Sequence, residues 1–141
     1  MWPTQFEDRL SAWNNLRQLS DHTELKELLQ SINIWWHHSP WCPYHLHWDD
    51  QQEWPDPWQL LSDNVYCDLA RSLGIMYTIA MLDRTDLSDS SIIETEHGNL
   101  VQINQGKYIL NWGRDIVVNN NLEQQKIKNV MTYNDIKSQL L

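Results

Sequence analysis

The chain has 141 residues, enough for one domain with a buried core, and its 41% hydrophobic and 21% charged residues mark it as globular rather than disordered. It carries 19 Asp and Glu against 10 Lys and Arg, a net charge of −9 and a pI of ≈ 4.9. No basic stripe lies on any predicted helix, so duplex nucleic acid and an anionic membrane surface, which both need clustered cations, are excluded as partners.

The opening Met1-Trp2-Pro3-Thr4-Gln5 has neither the basic nor the apolar segment of a signal peptide, and no run approaches the about 18 apolar residues of a membrane span. Synthesis and folding in a cytoplasm are therefore expected. Thr4 with Glu7 reads as a capping box, followed by Phe6, Leu10, Trp13, Leu16 and Leu19 at helical spacing, so a helix is predicted to about Leu19. Asp21 with Glu24 makes a second box ahead of the stripe Leu25, Leu28, Leu29, Ile32 and Trp35 or Trp36. The two helices are expected to pack as an αα-hairpin.

From His37 to Pro57 the composition changes. Prolines 40, 43, 55 and 57, tryptophans 36, 41, 48, 54 and 58, and histidines 37, 38, 45 and 47 crowd residues 36 to 58. The prolines forbid a long helix, so an irregular, partly extended loop pinned by its tryptophans is expected. Asp56-Pro57 then starts a short helix that breaks at Ser62-Asp63-Asn64. With Asn64 as its cap, a second and longer helix carries Tyr66, Leu69, Ala70, Leu73, Tyr77, Ala80 and Met81 on one apolar face. This is the predicted central helix. Cys67 would be its third residue, where unpaired backbone N–H groups and the positive end of the dipole favour a thiolate. Against this stands the ordinary reading of a free cysteine as a small buried hydrophobe. Two cysteines make no disulfide framework, and nothing in the sequence supports a bridge between Cys42 and Cys67.

After the polar stretch Asp83 to Ser90 the period switches to two. Ser91 to Glu96, Leu100 to Ile103 and Lys107 to Trp112 read as antiparallel strands, with turns at Gly98-Asn99 and Gln105-Gly106. Ile116 to Val118 is a candidate fourth strand ended by Asn119 to Asn121, and Lys126 to Met131 a fifth. Thr132 with Asp135 caps a final helix carrying Ile136, Leu140 and Leu141. Helices first and a meander afterwards make the class α+β. One domain is expected over 1–141: a helical hairpin and Trp/Pro/His-rich loop over 1–53, a core over 54–119, and a C-terminal strand and short helix over 120–141.

Three sets of residues are candidates for function. The first is Cys67, His97 and Asn111. Trp54 with Pro57, Leu60-Leu61, Cys67-Asp68-Leu69-Ala70, His97 and Tyr108-Ile109-Leu110-Asn111 together resemble the transglutaminase-like, papain-like cysteine peptidase superfamily, over roughly residues 54 to 112. The resemblance implies a central helix packed on a small antiparallel meander. It also implies Cys67 as nucleophile, His97 as its base and Asn111 as the group orienting the imidazole. Such a thiol needs both a base and a helix N-terminus to react near neutral pH. The family usually places a glycine and an acidic residue just before the cysteine. Here Val65 and Tyr66 stand there, and a tyrosine can fill the substrate's approach. Hairpin register decides whether the triad closes. With a two-residue loop at Gln105-Gly106, Asn111 falls opposite Leu100 and faces away from His97. With a three-residue loop, Asn104-Gln105-Gly106, Asn111 falls opposite Asn99, diagonal to His97 and about 7–8 Å away. Glycine at the third loop position favours the second register.

The second set is His37, His38, Cys42, His45 and His47, which spell H-H-x3-C-x2-H-x-H. Imidazole and thiolate suit zinc, yet the spacing matches no standard finger and no second half accompanies it, so no metal and no cofactor is expected. The third set is Trp35, Trp36, Trp41, Trp48, Trp54 and Trp58, read as anchors of the loop that double as a protein interface. The acidic Asp49, Asp50, Glu53 and Asp56 read as a solvated rim; a glycosidase would need two of them converging across a cleft.

The wording PW-x-LL-x-DN-x-YC-x-LAR-x-LG also resembles small proteins of tailed phages, above all T4-like phages of cyanobacteria. That resemblance implies a virion structural or assembly role in the tail, baseplate or neck, with other virion proteins as partners in a multi-subunit assembly. The host cytoplasm would be its site during assembly and the particle its final place. The departures before Cys67 favour a degenerate fold without catalysis. An active cysteine hydrolase or amidase is the alternative.

Overall fold

The computed structural model describes residues 2–118 and 126–140, and for Ser20 and Asp21 the backbone alone. The predicted capping side chain of Asp21, the asparagines expected to end the fourth strand and the apolar Leu141 lie outside the described residues. In chain order the α-helices are α1 (Phe6–Gln18), α2 (Leu25–His37), α3 (Pro57–Asp63), α4 (Asp68–Leu82) and α5 (Tyr133–Gln139). The strands β1 (Ser90–Thr95), β2 (Gly98–Ile103), β3 (Tyr108–Leu110), β4 (Val117–Val118) and β5 (Asn129–Thr132) lie between the last two helices. They form one antiparallel sheet in the order β4-β3-β2-β1-β5, so the class is α+β.

Asp56 accepts a hydrogen bond from the Gln59 N–H at 2.8 Å, Pro57 takes the first helical position, and Asn64 ends α3 in the left-handed conformation at φ 56°. Thr132 and Asp135 form the reciprocal capping box of α5. Two other predicted caps are corrected. Gln5 precedes α1 and Glu24 precedes α2, neither with a side-chain cap. The carbonyl of Thr4 instead accepts from Arg9 Nη1 at 2.8 Å, and Arg9 Nε reaches the Leu61 carbonyl at 2.9 Å, so this buried cation ties α1 to α3.

The expected helical hairpin is also corrected. Both α1 and α2 pack on α4, and α1 packs on α3 as well, while α1 meets α2 chiefly where the Trp13 ring stands edge-on to Trp36. α4 is the central helix, but it is not one-faced: every residue from 72 to 80 is buried. β1 and β2 cover one side, and α1, α2, α3 and α5 close the others. Residues that periodicity assigns to solvent therefore lie inside. Thr78 accepts the indole N–H groups of Trp13 at 2.8 Å and Trp36 at 3.0 Å and donates to the Gly74 carbonyl at 2.8 Å. A Cβ on Gly74 would lie 2.6 Å from the Trp36 ring, so the glycine is what lets that ring lie against the helix.

In the sheet Ile92, Val101, Leu110 and Met131 align on the face that joins the main core, while Ile93, Leu100 and Ile109 cluster on the other. The β1–β2 turn is Glu96-His97, since Gly98 already pairs with Thr95; the predicted turn at Gly98-Asn99 is two positions late. Val101 pairs with Leu110 and Ile103 with Tyr108, the frame that sets position 111 beside Leu100. The three-residue loop is thereby corrected. Asn104, Gln105 and Gly106 are all left-handed, at φ 55°, 59° and 89°, and the Asn104 N–H is drawn to the Asp89 carbonyl at 2.8 Å.

Thr78→Val keeps the shape of the side chain but leaves two buried indole N–H groups without an acceptor. It is expected to cost at least about 2 kcal/mol of unfolding free energy in urea denaturation, whereas Thr78→Ser, which keeps the hydroxyl, loses only about 1 kcal/mol.

Candidate functional site

Cys67 lies at the head of α4, but as the N-cap rather than the third helical residue; the N-cap role expected of Asn64 is corrected with it. Its backbone is extended, and Sγ accepts from the Ala70 N–H at 3.4 Å and the Leu46 N–H at 3.3 Å. The second donor comes from the Pro/Trp/His-rich loop. That loop is fastened to the residue before the cysteine: the Tyr66 N–H donates to the Pro40 carbonyl and the Cys42 N–H to the Tyr66 carbonyl, each at 3.0 Å, a parallel bridge between Trp41 and Tyr66. The bridge brings Leu46 over the sulfur and leaves Cys67 3% exposed. Cys42 and Cys67 are both free thiols.

Tyr66 does not block an approach to the sulfur. Its ring turns into the core between Trp2 and Trp36, and its hydroxyl donates to the Leu60 carbonyl at 2.8 Å. Burial pushes its pKa above the ordinary tyrosine value.

Cys67 and His97 line different clefts. The larger, about 620 Å³, holds Cys67 beside Trp41, Tyr44, Trp48 and Glu94. The smaller, about 230 Å³, holds His97 beside His37, Arg71, Asn111 and Trp112. Trp41, Asp68 and Asn99 line both and form the wall between them. The Asp68 carboxylate is fully engaged there. Oδ2 accepts the Asn99 N–H at 2.8 Å, and Oδ1 accepts Asn99 Nδ2 at 3.1 Å and the Leu69 N–H at 2.8 Å. Asn99 Oδ1 in turn accepts the Trp48 indole at 2.7 Å. The His97 ring lies flat on Trp112, centroids 3.6 Å apart and planes 7° apart, and the backbone N–H of His97 donates to Thr95 Oγ1.

Asn111 has left the strand at φ 67°, a conformation asparagine tolerates better than most residues. Its Nδ2 donates to the Asp68 carbonyl at 2.8 Å, Ser72 Oγ at 2.9 Å and the Asn99 carbonyl at 3.0 Å, and its N–H donates to Asn33 Oδ1 at 2.8 Å. Two of those acceptors are carbonyls, so the amide nitrogen must point this way. No hydrogen bond joins any two of Cys67, His97 and Asn111 among the described residues. Asn111 locks β3 to α4 and to α2.

The remaining candidates scatter. No three of the His, Cys, Asp and Glu side chains among the described residues converge as metal ligands, so His37, His38, Cys42, His45 and His47 build no joint site. Trp36 is core, and Trp35 packs on Trp2. Trp48 stands edge-on to Trp54, whose indole donates to the His47 carbonyl. Trp41 is 57% exposed, and Trp58 is 49% exposed against Trp13 and lines a separate cleft with Lys137. Of the acidic set, Asp49, Asp50 and Glu53 lie on an exposed 3-10 stretch, Trp48–Glu53, and Asp56 caps α3.

Sequence reasoning passed over Asp68, Asn99, Arg71 and Trp112. Only Asp68, directly after the cysteine, carried a signal, as an acidic residue in the first turn of a helix. No protein-family model, curated protein or solved structure matches the chain.

Asn111→Asp would set a carboxylate against three oxygens that now accept from an amide. The variant is expected to lose at least about 2 kcal/mol of stability at pH 7. The introduced carboxyl has a raised pKa in the folded state, so stability returns as pH falls through that value and the group protonates. Urea midpoints at pH 7 and pH 4.5, each referred to the unsubstituted protein, check it.

Proposed function

We propose that this chain is a virion structural or assembly protein of the tail, baseplate or neck, whose core, transglutaminase-like by resemblance, serves as a protein-interaction module rather than a catalyst. The observation that carries the non-catalytic part is the seat of the Cys67 sulfur. It is buried, accepts two backbone N–H groups and lies across the Asp68–Asn99 wall from His97. A buried sulfur that fastens a loop to a helix is a structural acceptor.

The interaction surface is the rim of the larger cleft. Trp41 stands 57% and Tyr44 87% exposed there, and Tyr44 holds a left-handed backbone at φ 60°, a conformation that costs a bulky residue roughly 1–3 kcal/mol and tends to occur at functional sites. Large, stiff rings on such a rim are what protein interfaces use as anchors. The virion setting, and with it other virion proteins as partners and the host cytoplasm followed by the particle as locations, rests on the resemblance of the segment from Pro57 to Gly74. No described helix is long and apolar enough to cross a membrane.

A second reading, a cysteine hydrolase or amidase, draws on the N-cap position of Cys67, since a helix N-terminus favours the thiolate that a nucleophilic sulfur needs. Alkylation by iodoacetamide at neutral pH separates the two. In the structural reading Cys67 reacts more slowly than the half-buried Cys42, at a rate indifferent to His97→Ala. A fast reaction of Cys67 that drops about tenfold or more in His97→Ala makes the hydrolase the correct reading. For the interface, Trp41→Ala with Tyr44→Ala is expected to reduce incorporation into purified particles while changing unfolding free energy by less than about 1 kcal/mol. Full incorporation of the doubly substituted chain would place the contact elsewhere.

A further inference from the structure

We propose that the smaller cleft is a binding site for an oxyanion, a carboxylate or phosphate group, received by Arg71 between two aromatic walls. Arg71 is the one Lys or Arg on the lining of this cleft. It lies half-buried at the end of the first turn of α4, and among the described residues it forms no ion pair; those that form are Arg84–Asp86, Arg114–Asp115 and Lys137–Asp83. Its Nε donates to Ser39 Oγ at 3.0 Å and its Nη2 to the Ser39 carbonyl at 2.6 Å, and the Trp41 ring lies 5.0 Å from Cζ. These contacts aim the guanidinium and leave Nη1 with no acceptor among the described residues. The one carboxylate in the same cleft, Asp68, is held by Asn99 and the Leu69 N–H.

The surroundings fit a small anion. Trp41 forms one wall and the stacked Trp112–His97 pair lies on the lining with it, so water is kept from part of the guanidinium. In such a place a charge-assisted hydrogen bond is stronger than at an open surface, and the planar guanidinium matches the edge of a carboxylate or phosphate. His37 lies on the same lining. Its pKa is held below the ordinary histidine value by burial first, then by the charges of Arg71, His38 and Arg114, with Asp115 opposing. Arg71 is the one Lys or Arg on the lining, and Asp68, the carboxylate there, is held by Asn99. At about 230 Å³ the cleft admits one such group and not a folded segment. The proposal concerns a different cleft from the assembly reading, with Trp41 common to both, so Trp112→Ala tests it without touching the proposed interface.

The test uses the full chain, titrated separately with inorganic phosphate and with sodium acetate at constant ionic strength against a chloride reference. It follows the Arg71 Nε–H and the ring protons of His37 by NMR. Saturable shifts of both groups by one of the two anions are expected, and which anion saturates distinguishes phosphate from carboxylate. Arg71→Lys, which keeps the charge and loses the planar fork, should weaken binding about tenfold. Because Arg71 also anchors Ser39, Trp112→Ala serves as a second variant that leaves that anchor intact; it should weaken binding about threefold. Shifts that do not saturate, that chloride reproduces, or that persist unchanged in Trp112→Ala mean an adventitious ion only, and overturn the proposal.

Discussion

The Thr78 hydroxyl has three hydrogen-bonding positions and all three are filled, two by indoles and one by the Gly74 carbonyl a turn earlier. Nearly everything else follows from that arrangement. A tryptophan can be buried only if its N–H finds an acceptor, and here one side chain of α4 supplies it for both Trp13 of α1 and Trp36 of α2. The two helices are thus registered against α4 rather than against each other. With Gly74 opening room for the Trp36 ring, the helical layer lies close enough to bury the side of α4 away from the sheet. An ordinary amphipathic helix would expose that side.

Once α4 is enclosed, its N-terminus is a fixed point, and the irregular loop is organised around it. The Trp41–Tyr66 bridge sets where the loop crosses, and the Leu46 N–H closes on the Cys67 sulfur. Asp68, one residue further, holds the start of β2 through Asn99, and Asn111 holds the end of β3 through carbonyls of the same two residues. Three of the residues that resemble a catalytic triad, or stand next to one, are therefore accounted for by fastening: helix to loop, helix to strand, strand to strand. The polar side chains at this end of the helix satisfy one another, which stabilises the arrangement and leaves little hydrogen-bonding capacity on Cys67 or Asn111 for a substrate.

The parts that were legible in the sequence are those governed by neighbours along the chain. Asp56-Pro57, the break at Asn64 and the Thr132–Asp135 box each act within four residues, and they appear where they were expected. The strands were also legible, because their period of two reflects a buried face. What failed needed knowledge of distant residues. Thr4 with Glu7 has the spacing of a cap, but Arg9 draws the Thr4 carbonyl towards α3. The β2–β3 loop was read from its glycine alone, but Asn104 and Gln105 also turn left-handed, with Asn104 tied to Asp89 across the hairpin. Asn99 and Arg71 gave no signal at all, since their partners Asp68 and Ser39 are 31 and 32 residues away. The tryptophans were visible as a class but not as individuals: composition does not distinguish Trp36, which is core, from Trp41, which faces two clefts.

Trp41 has one more consequence. The larger cleft carries the carboxylates of Asp49 and Glu94 and no Lys or Arg on its lining, the smaller carries Arg71, His37 and His97, and Asp68 lines both. Opposite charges this near each other would ordinarily close into a salt bridge, and both clefts would lose their character. The indole prevents that. Its face is occupied by the Arg71 guanidinium, an attraction worth about 0.5–2 kcal/mol, so the cation is held against the ring while Asp49 and Glu94 line the other cleft and Asp68, common to both, is held by Asn99. The separation depends on a ring that is more than half exposed and fixed through the backbone bridge to Tyr66. An exposed aromatic is usually read as a contact for a partner. Here it is also the partition that keeps two differently charged surfaces distinct at one end of the central helix.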